Sequence, residues 1–264
     1  MKSISKALIS LGNQCALIPF ITAGDPDLYS TEQVLRILDR EGADIIEIGV
    51  PYSDPLADGP IIQEASRKAL ASGVTIDKIL QLVADISSDL RAPLILFTYY
   101  NPILSRGTER FLIDIANAGI KGLIIPDLPL EESDYIIGLC SELSIELILL
   151  ITPTSSSNRI ASILSKSSDV IYVVSTIGVT GIRKEIHSEM REFIKKIKSQ
   201  TDKLLILGFG ISTVEHVNQV SKWDINGIVI GSAFVKLLAE NNINDQFQLL
   251  KNFCFSVKKA LVDN

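Results

Sequence analysis

The chain has 264 residues, 47% of them hydrophobic and 21% charged, which is enough to bury a large core and too apolar for a disordered segment. Its formal net charge of −6 argues against a general nucleic-acid binder or a polybasic membrane binder. Three widely spaced cysteines, Cys15, Cys140 and Cys254, form no C-x-x-C pair and read as reduced packing residues in a cytosol-like compartment.

The opening stretch MKSISKALISLGNQ has the pattern of a short amphipathic helix and lacks the long apolar core and cleavage site of a signal peptide. Eight short apolar runs follow. They are ALIPFIT from Ala16, DIIEIGV from Asp44, PLILFTYY from Pro93, GLIIPDLP from Gly122, ELILLITP from Glu146, DVIYVVST from Asp169, KLLILGFG from Lys203 and GIVIGSA from Gly227. Each is nearly continuous rather than alternating, as strands buried on both faces are. The segments between them, such as TEQVLRILDREGA, TERFLIDIANAG and VEHVNQVSKW, have helical periodicity. The gap between the second and third runs is too long for one helix, so 60–91 is expected to hold two helices after a long loop. The tail from Asn244 to Val262 reads as a last helix. No apolar run is long enough to span a membrane.

Strands alternating with helices imply right-handed βαβ units and a parallel sheet. Eight such units in this length favour closure into a single (β/α)₈ barrel, a TIM barrel with an extra N-terminal helix and inserted helices, spanning 1–264 as one catalytic domain. No G-x-G-x-x-G follows the first run, which counts against an open dinucleotide-binding sheet. In a barrel of this kind the active site lies on the loops after the strands. Polar residues there carry a functional reading, whereas Lys121 and Lys203, which precede strands, do not.

Glu47 lies inside the second run between Ile46 and Ile48. A carboxylate there must face the barrel interior or be paired, and a general acid/base with an environment-tuned pKa fits. The next loop, VPYSDPLADGP, is stiffened by Pro51, Pro55, Gly59 and Pro60 and holds two acids. Asp54 reads as a turn former. Asp58 stays open between a turn or helix cap and a catalyst. LGFGIS and IGSAFVK end the seventh and eighth runs, and Gly208, Phe209, Gly210, Gly231 and Ser232 there suit a phosphate. Glycines permit close backbone approach, and a helix starting at Ser232 would present its N-terminus to an anion. STIGVTGIRK after the sixth run, with Gly178 and Gly181 around Thr180, reads as a lid. No lysine stands at the end of a strand, so a Schiff-base aldolase is not expected. Two distant histidines, His187 and His216, without a cysteine cluster do not make a catalytic zinc. What remains is proton transfer by carboxylates on a phosphate-bearing substrate.

The segment EIGVPYSDPLADGPIIQ from Glu47 to Gln63 resembles the signature stretch of the tryptophan synthase alpha chain family. PFITAGDP, YYNP, PDLP, GVTG, GFGIS and GSA occur in that family's order along nearly the whole chain. The resemblance implies a lyase of L-tryptophan biosynthesis that splits indole-3-glycerol phosphate into indole and glyceraldehyde 3-phosphate. It makes Glu47 and Asp58 the catalytic pair, with Asp58 steadying the charged indole ring and Glu47 managing protons. It places Phe20, Ile62, Tyr100, Ile125 and Tyr172 around indole. Gly181, Phe209, Gly210, Gly231 and Ser232 would hold phosphate, and Thr180 would close the lid toward Asp58. Ile177 replaces an expected small hydroxyl residue, and Asp127 in PDLP is a variant within the family's range. The resemblance also implies an αββα heterotetramer with a beta chain, in which indole passes between subunits that influence each other. Pyridoxal phosphate belongs to that partner and no cofactor or metal to this chain. The PYSDPLADGP and YYNP segments are the implied contact surface, and the location is cytoplasmic, or plastid stroma for a plastid-encoded gene. Two alternatives are a stand-alone lyase releasing free indole and a non-catalytic allosteric barrel.

Overall fold

A computed structural model describes residues 2–175, 188–208, 210–239 and 243–263. The strands are β1 (Ala16–Thr22), β2 (Ile46–Gly49), β3 (Leu94–Phe97), β4 (Gly122–Ile124), β5 (Glu146–Leu147), β6 (Leu149–Ile151), β7 (Val170–Val174), β8 (Leu204–Gly208) and β9 (Gly227–Ile230). All described pairings are parallel, in the order β5-β4-β3-β2-β1-β9-β8-β7-β6. The fifth apolar run supplies both β5 and β6, split only at Ile148. Its first part pairs with β4 and its second with β7, and the Ile148 N–H donates to the Leu123 carbonyl at 2.9 Å. The two ends of the sheet are therefore one continuous run, and the sheet closes into a TIM barrel.

Between the strands lie α1 (Ile4–Ile9), α2 (Leu28–Arg40), α3 (Pro60–Ala71), α4 (Ile76–Ile86), α5 (Tyr100–Arg106), α6 (Thr108–Asn117), α7 (Ser133–Glu142), α8 (Ser157–Lys166), α9 (Ser188–Lys198), α10 (Val214–Val220), α11 (Ser232–Ala239) and α12 (Ile243–Val262). The long gap after β2 does hold two helices, α3 and α4. Their starts are chemically marked. Pro60 occupies the first turn of α3, where its missing N–H costs nothing, and the Thr75 hydroxyl accepts from the Lys78 N–H at the start of α4. Among the described residues no helix is long and apolar enough to cross a membrane.

Strand periodicity divides the core in two. Ile18, Phe20, Ile95, Phe97, Ile124, Ile148, Tyr172, Ile206 and Val229 fill the barrel. Their strand neighbours, among them Leu17, Ile21, Leu94, Leu96, Leu123 and Ile171, pack outward under the helices. Helix α1 plugs the end of the barrel away from the strand C-termini. Its Ile4, Ala7 and Leu8 join the interior cluster, and the Glu146 carboxylate accepts from the Ser5 N–H at 3.1 Å and the Ser5 hydroxyl at 3.0 Å. The last helix is tied down by Lys258, which donates to both Asp44 oxygens at 2.6 and 2.7 Å while Asp44 accepts the Leu17 N–H. Lys203, at the start of β8, donates to the Leu164 and Ser167 carbonyls and is structural, as its position before the strand predicts.

Candidate active site

Glu47 follows the inward parity of the barrel. It is registered between Phe20 on β1 and Ile95 on β3, both interior residues, while Ile46 and Ile48 face outward. Only 1% of its surface is exposed, and its Oε2 has no hydrogen-bond partner among the described residues. Burial away from water disfavours the charged form, and the nearby Asp58 carboxylate adds to the effect. Together they push the Glu47 pKa up to about 8.

Asp58 sits at the far end of the loop that leaves β2. The loop turns on itself there, with the Asp58 N–H donating to the Pro55 carbonyl at 3.1 Å and the Gln63 amide donating to the Asp58 carbonyl at 2.8 Å. Its carboxylate is 5% exposed and accepts a hydrogen bond from the Tyr99 hydroxyl at 3.0 Å. Burial raises its pKa to about 6, with the Tyr99 bond opposing the rise. Asp54 is different. It lies exposed on the loop, with the Ser53 hydroxyl donating to its carboxylate and the Leu56 N–H to its carbonyl, which is the turn-forming part read from the sequence.

Phe20, Ile62 and Tyr172 are brought together in the interior cluster. A Cβ on Gly231 would lie 3.4 Å from Phe20 and 3.6 Å from Ile62, which places the start of α11 against the same wall. Tyr172 lies against Gly208 on the neighbouring strand β8, and any Cβ there would overlap its hydroxyl and ring. The fully buried Tyr172 has no slack. Gly208→Ala is therefore expected to cost about 1–3 kcal/mol and to raise KM for an aromatic substrate by displacing Tyr172. Thermal unfolding and steady-state kinetics check this, and an unchanged Tm would show that the ring is not held there.

Tyr100 and Ile125 are not in that wall. Tyr100 opens α5, where its N–H donates to Asp127 at 2.8 Å and its half-buried side chain packs against the outer cluster. Ile125 is buried in the outer cluster as well. Their immediate neighbours, Tyr99 and Ile124, are the interior residues. The strand parity running through Ile95 and Phe97 points to Tyr99, and it was the available signal.

Gly210 has φ of +81°, a left-handed conformation that suits glycine, and lies exposed just past β8. Gly231 precedes α11 and its carbonyl accepts the Val235 N–H, so the free N–H groups of the first turn face the strand ends, beside the exposed Ser232. Phe209, the lid with Ile177, Gly178, Thr180 and Gly181, and His187 lie outside the described residues. Chemically the arrangement offers one carboxyl protonated at neutral pH, one that is ionised, an apolar aromatic wall and an anion corner. That set suits acid/base carbon–carbon cleavage of a substrate that carries an apolar ring and a phosphate.

The family model for the tryptophan synthase alpha chain matches residues 7–262. The tryptophan synthase alpha chain of Pyropia yezoensis is 53% identical over 262 residues, 99% of this chain and 100% of that one. That of Synechocystis sp. is 52% identical over 248 residues, 94% of each. A solved chain of the tryptophan synthase α2β2 complex from Pyrococcus furiosus superposes with a TM-score of 0.87 at 34% identity, covering 93% of this chain and 98% of that one. A solved chain of Mycobacterium tuberculosis tryptophan synthase gives 0.86 at 29%, covering 97% and 98%.

Proposed function

The chain belongs to the tryptophan synthase alpha chain family, and from that premise we propose how its residues carry out the reaction. It cleaves indole-3-glycerol phosphate to indole and glyceraldehyde 3-phosphate, and it works with a beta chain in an α2β2 assembly. The observation that carries the residue assignment is the pair of buried carboxylates in unlike surroundings, Glu47 with an Oε2 that has no hydrogen-bond partner among the described residues and Asp58 held by Tyr99.

Glu47, protonated at neutral pH, gives its proton to C3 of the indole ring. The ring nitrogen becomes cationic, and the ionised Asp58 carboxylate stabilises that charge. Glu47, now a carboxylate, takes the proton from the glycerol hydroxyl beside the ring. The bond between C3 and the glycerol carbon breaks, its electrons neutralise the ring, and the hydroxyl carbon becomes the aldehyde. One proton enters and one leaves, so Glu47 ends as it began.

Phe20, Ile62 and Tyr172 form the indole wall, with Tyr100 and Ile125 acting behind it through Tyr99 and Ile124. Gly210, Gly231, Ser232 and the α11 N-terminus bind phosphate, joined by Gly181 and Phe209, while Thr180 closes over Asp58. The whole chain, 1–264, acts as one catalytic domain. Pyridoxal phosphate resides in the beta chain, and the loop of 51–60 with the start of α5 forms the contact surface. The compartment is the cytoplasm, or the plastid stroma if the gene is plastid-encoded. The expected result is slow release of indole from indole-3-glycerol phosphate by the purified chain, strongly accelerated by a beta chain. Full turnover without acceleration would instead make it a stand-alone lyase, and no turnover in either form would leave a non-catalytic barrel.

A further inference from the structure

Two buried carboxylates that feel each other need something to decide which one carries the proton. Tyr99 stands where that decision is made. Its hydroxyl oxygen accepts the Ala57 N–H at 3.0 Å and lies 3.0 Å from Asp58 Oδ2. Because one side of the oxygen takes an N–H, the hydroxyl's own hydrogen is directed at Asp58. The ring cannot swing away. It is 2% exposed, stacked on Tyr52 at 5.0 Å and set edge-on to Phe97 at 6.1 Å. Its backbone caps α5, whose first N–H is held by Asp127. Glu47 Oε2, by contrast, receives no hydrogen bond among the described residues.

We propose that Tyr99 is a positioning residue that assigns the proton: its hydroxyl keeps Asp58 ionised and leaves Glu47 as the acid. The inference rests on the roles given above to Glu47 and Asp58. A donor to a carboxylate stabilises the charged form, while an unpartnered buried carboxyl favours the neutral one. The other titratable groups bearing on the pair are Tyr172 from β7, whose ionisation both carboxylates oppose, and Asp127, which acts on Tyr99. Neither donates to Glu47 Oε2.

The test is Tyr99→Phe in the full chain assembled with a beta chain, since Phe keeps the ring and removes only the hydroxyl. The expected result is a kcat lower by about 10- to 100-fold with KM little changed. The acid limb of the kcat/KM profile moves to higher pH, because Asp58 loses the bond that favours its charged form. In an Asp58→Asn background, Tyr99→Phe produces no such shift. An acid limb that stays in place while kcat or Tm falls makes Tyr99 merely structural and overturns the proposal. If Tyr99→Phe does not fold, the unaltered chain with ¹³C-labelled carboxyls decides by NMR titration. Asp58, identified by its missing signal in Asp58→Asn, is expected to ionise below Glu47, and the reverse order overturns the proposal. Near-normal turnover by Asp58→Asn would remove the underlying reading of Asp58. An inactive Asp58→Asn with an unmoved Tyr99→Phe profile removes only the part given to Tyr99.

Discussion

Glu47→Gln is expected to lower kcat for indole release by about 10²- to 10⁴-fold, the range for loss of a general acid/base, while the barrel stays folded. Glutamine matches the shape of the buried side chain and cannot exchange a proton with C3 or the glycerol hydroxyl. The same substitution has a stability effect of opposite sense. The Glu47 pKa is raised from 4.5 to about 8 by burial and by Asp58. Between those values the folded chain holds a proton that the unfolded chain has released, so stability falls as pH rises through the window. The amide of the variant does not titrate and escapes that loss. The variant's Tm should match the parent's near pH 4 and exceed it increasingly toward pH 8, which thermal unfolding at several pH values reads directly. A Tm difference that does not change with pH would mean that Glu47 is not buried as a titrating acid. Near-normal indole release would end its role as the proton carrier.

Asp58→Asn should lower kcat by about 10²- to 10³-fold, the cost of removing one preorganised electrostatic contact to a developing charge. The amide can still accept from Tyr99, so the change isolates the negative charge from the shape. With Asp58 titrating near 6 and Glu47 near 8, the parent's kcat/KM should be bell-shaped between those values. Asp58→Asn removes the acid limb and Glu47→Gln the alkaline limb. An acid limb that persists in Asp58→Asn would assign it to another group and dismiss Asp58 as the ring's counter-charge.

The barrel is legible in the sequence because a strand buried on both faces has to be apolar at every position, and eight such runs stand out against amphipathic helices. The same property hides the facing of individual residues. In a run without alternation, a one-residue shift exchanges interior for exterior and leaves the composition unchanged. That is why Tyr100 and Ile125 are named from the sequence where Tyr99 and Ile124 face inward. Each pair is a doublet of identical residues, so composition does not separate its members and only their facing in the barrel does. Glu47 was safe from this ambiguity because a single acid in an apolar run has few stable places to be.

Asp58 shows the boundary most clearly. The sequence by itself put it at the active end of a barrel, on a proline-stiffened loop, between a turn role and a catalytic one, and the family resemblance chose the catalyst. Only the tertiary structure shows what holds its carboxylate, because Tyr99 is 41 residues away along the chain. Local pattern determines which residues are apolar, which loops are stiff and which acids stand near strand ends. Closure of the sheet determines which distant side chains meet, and with that the burial and hydrogen bonding that set each carboxylate's proton affinity.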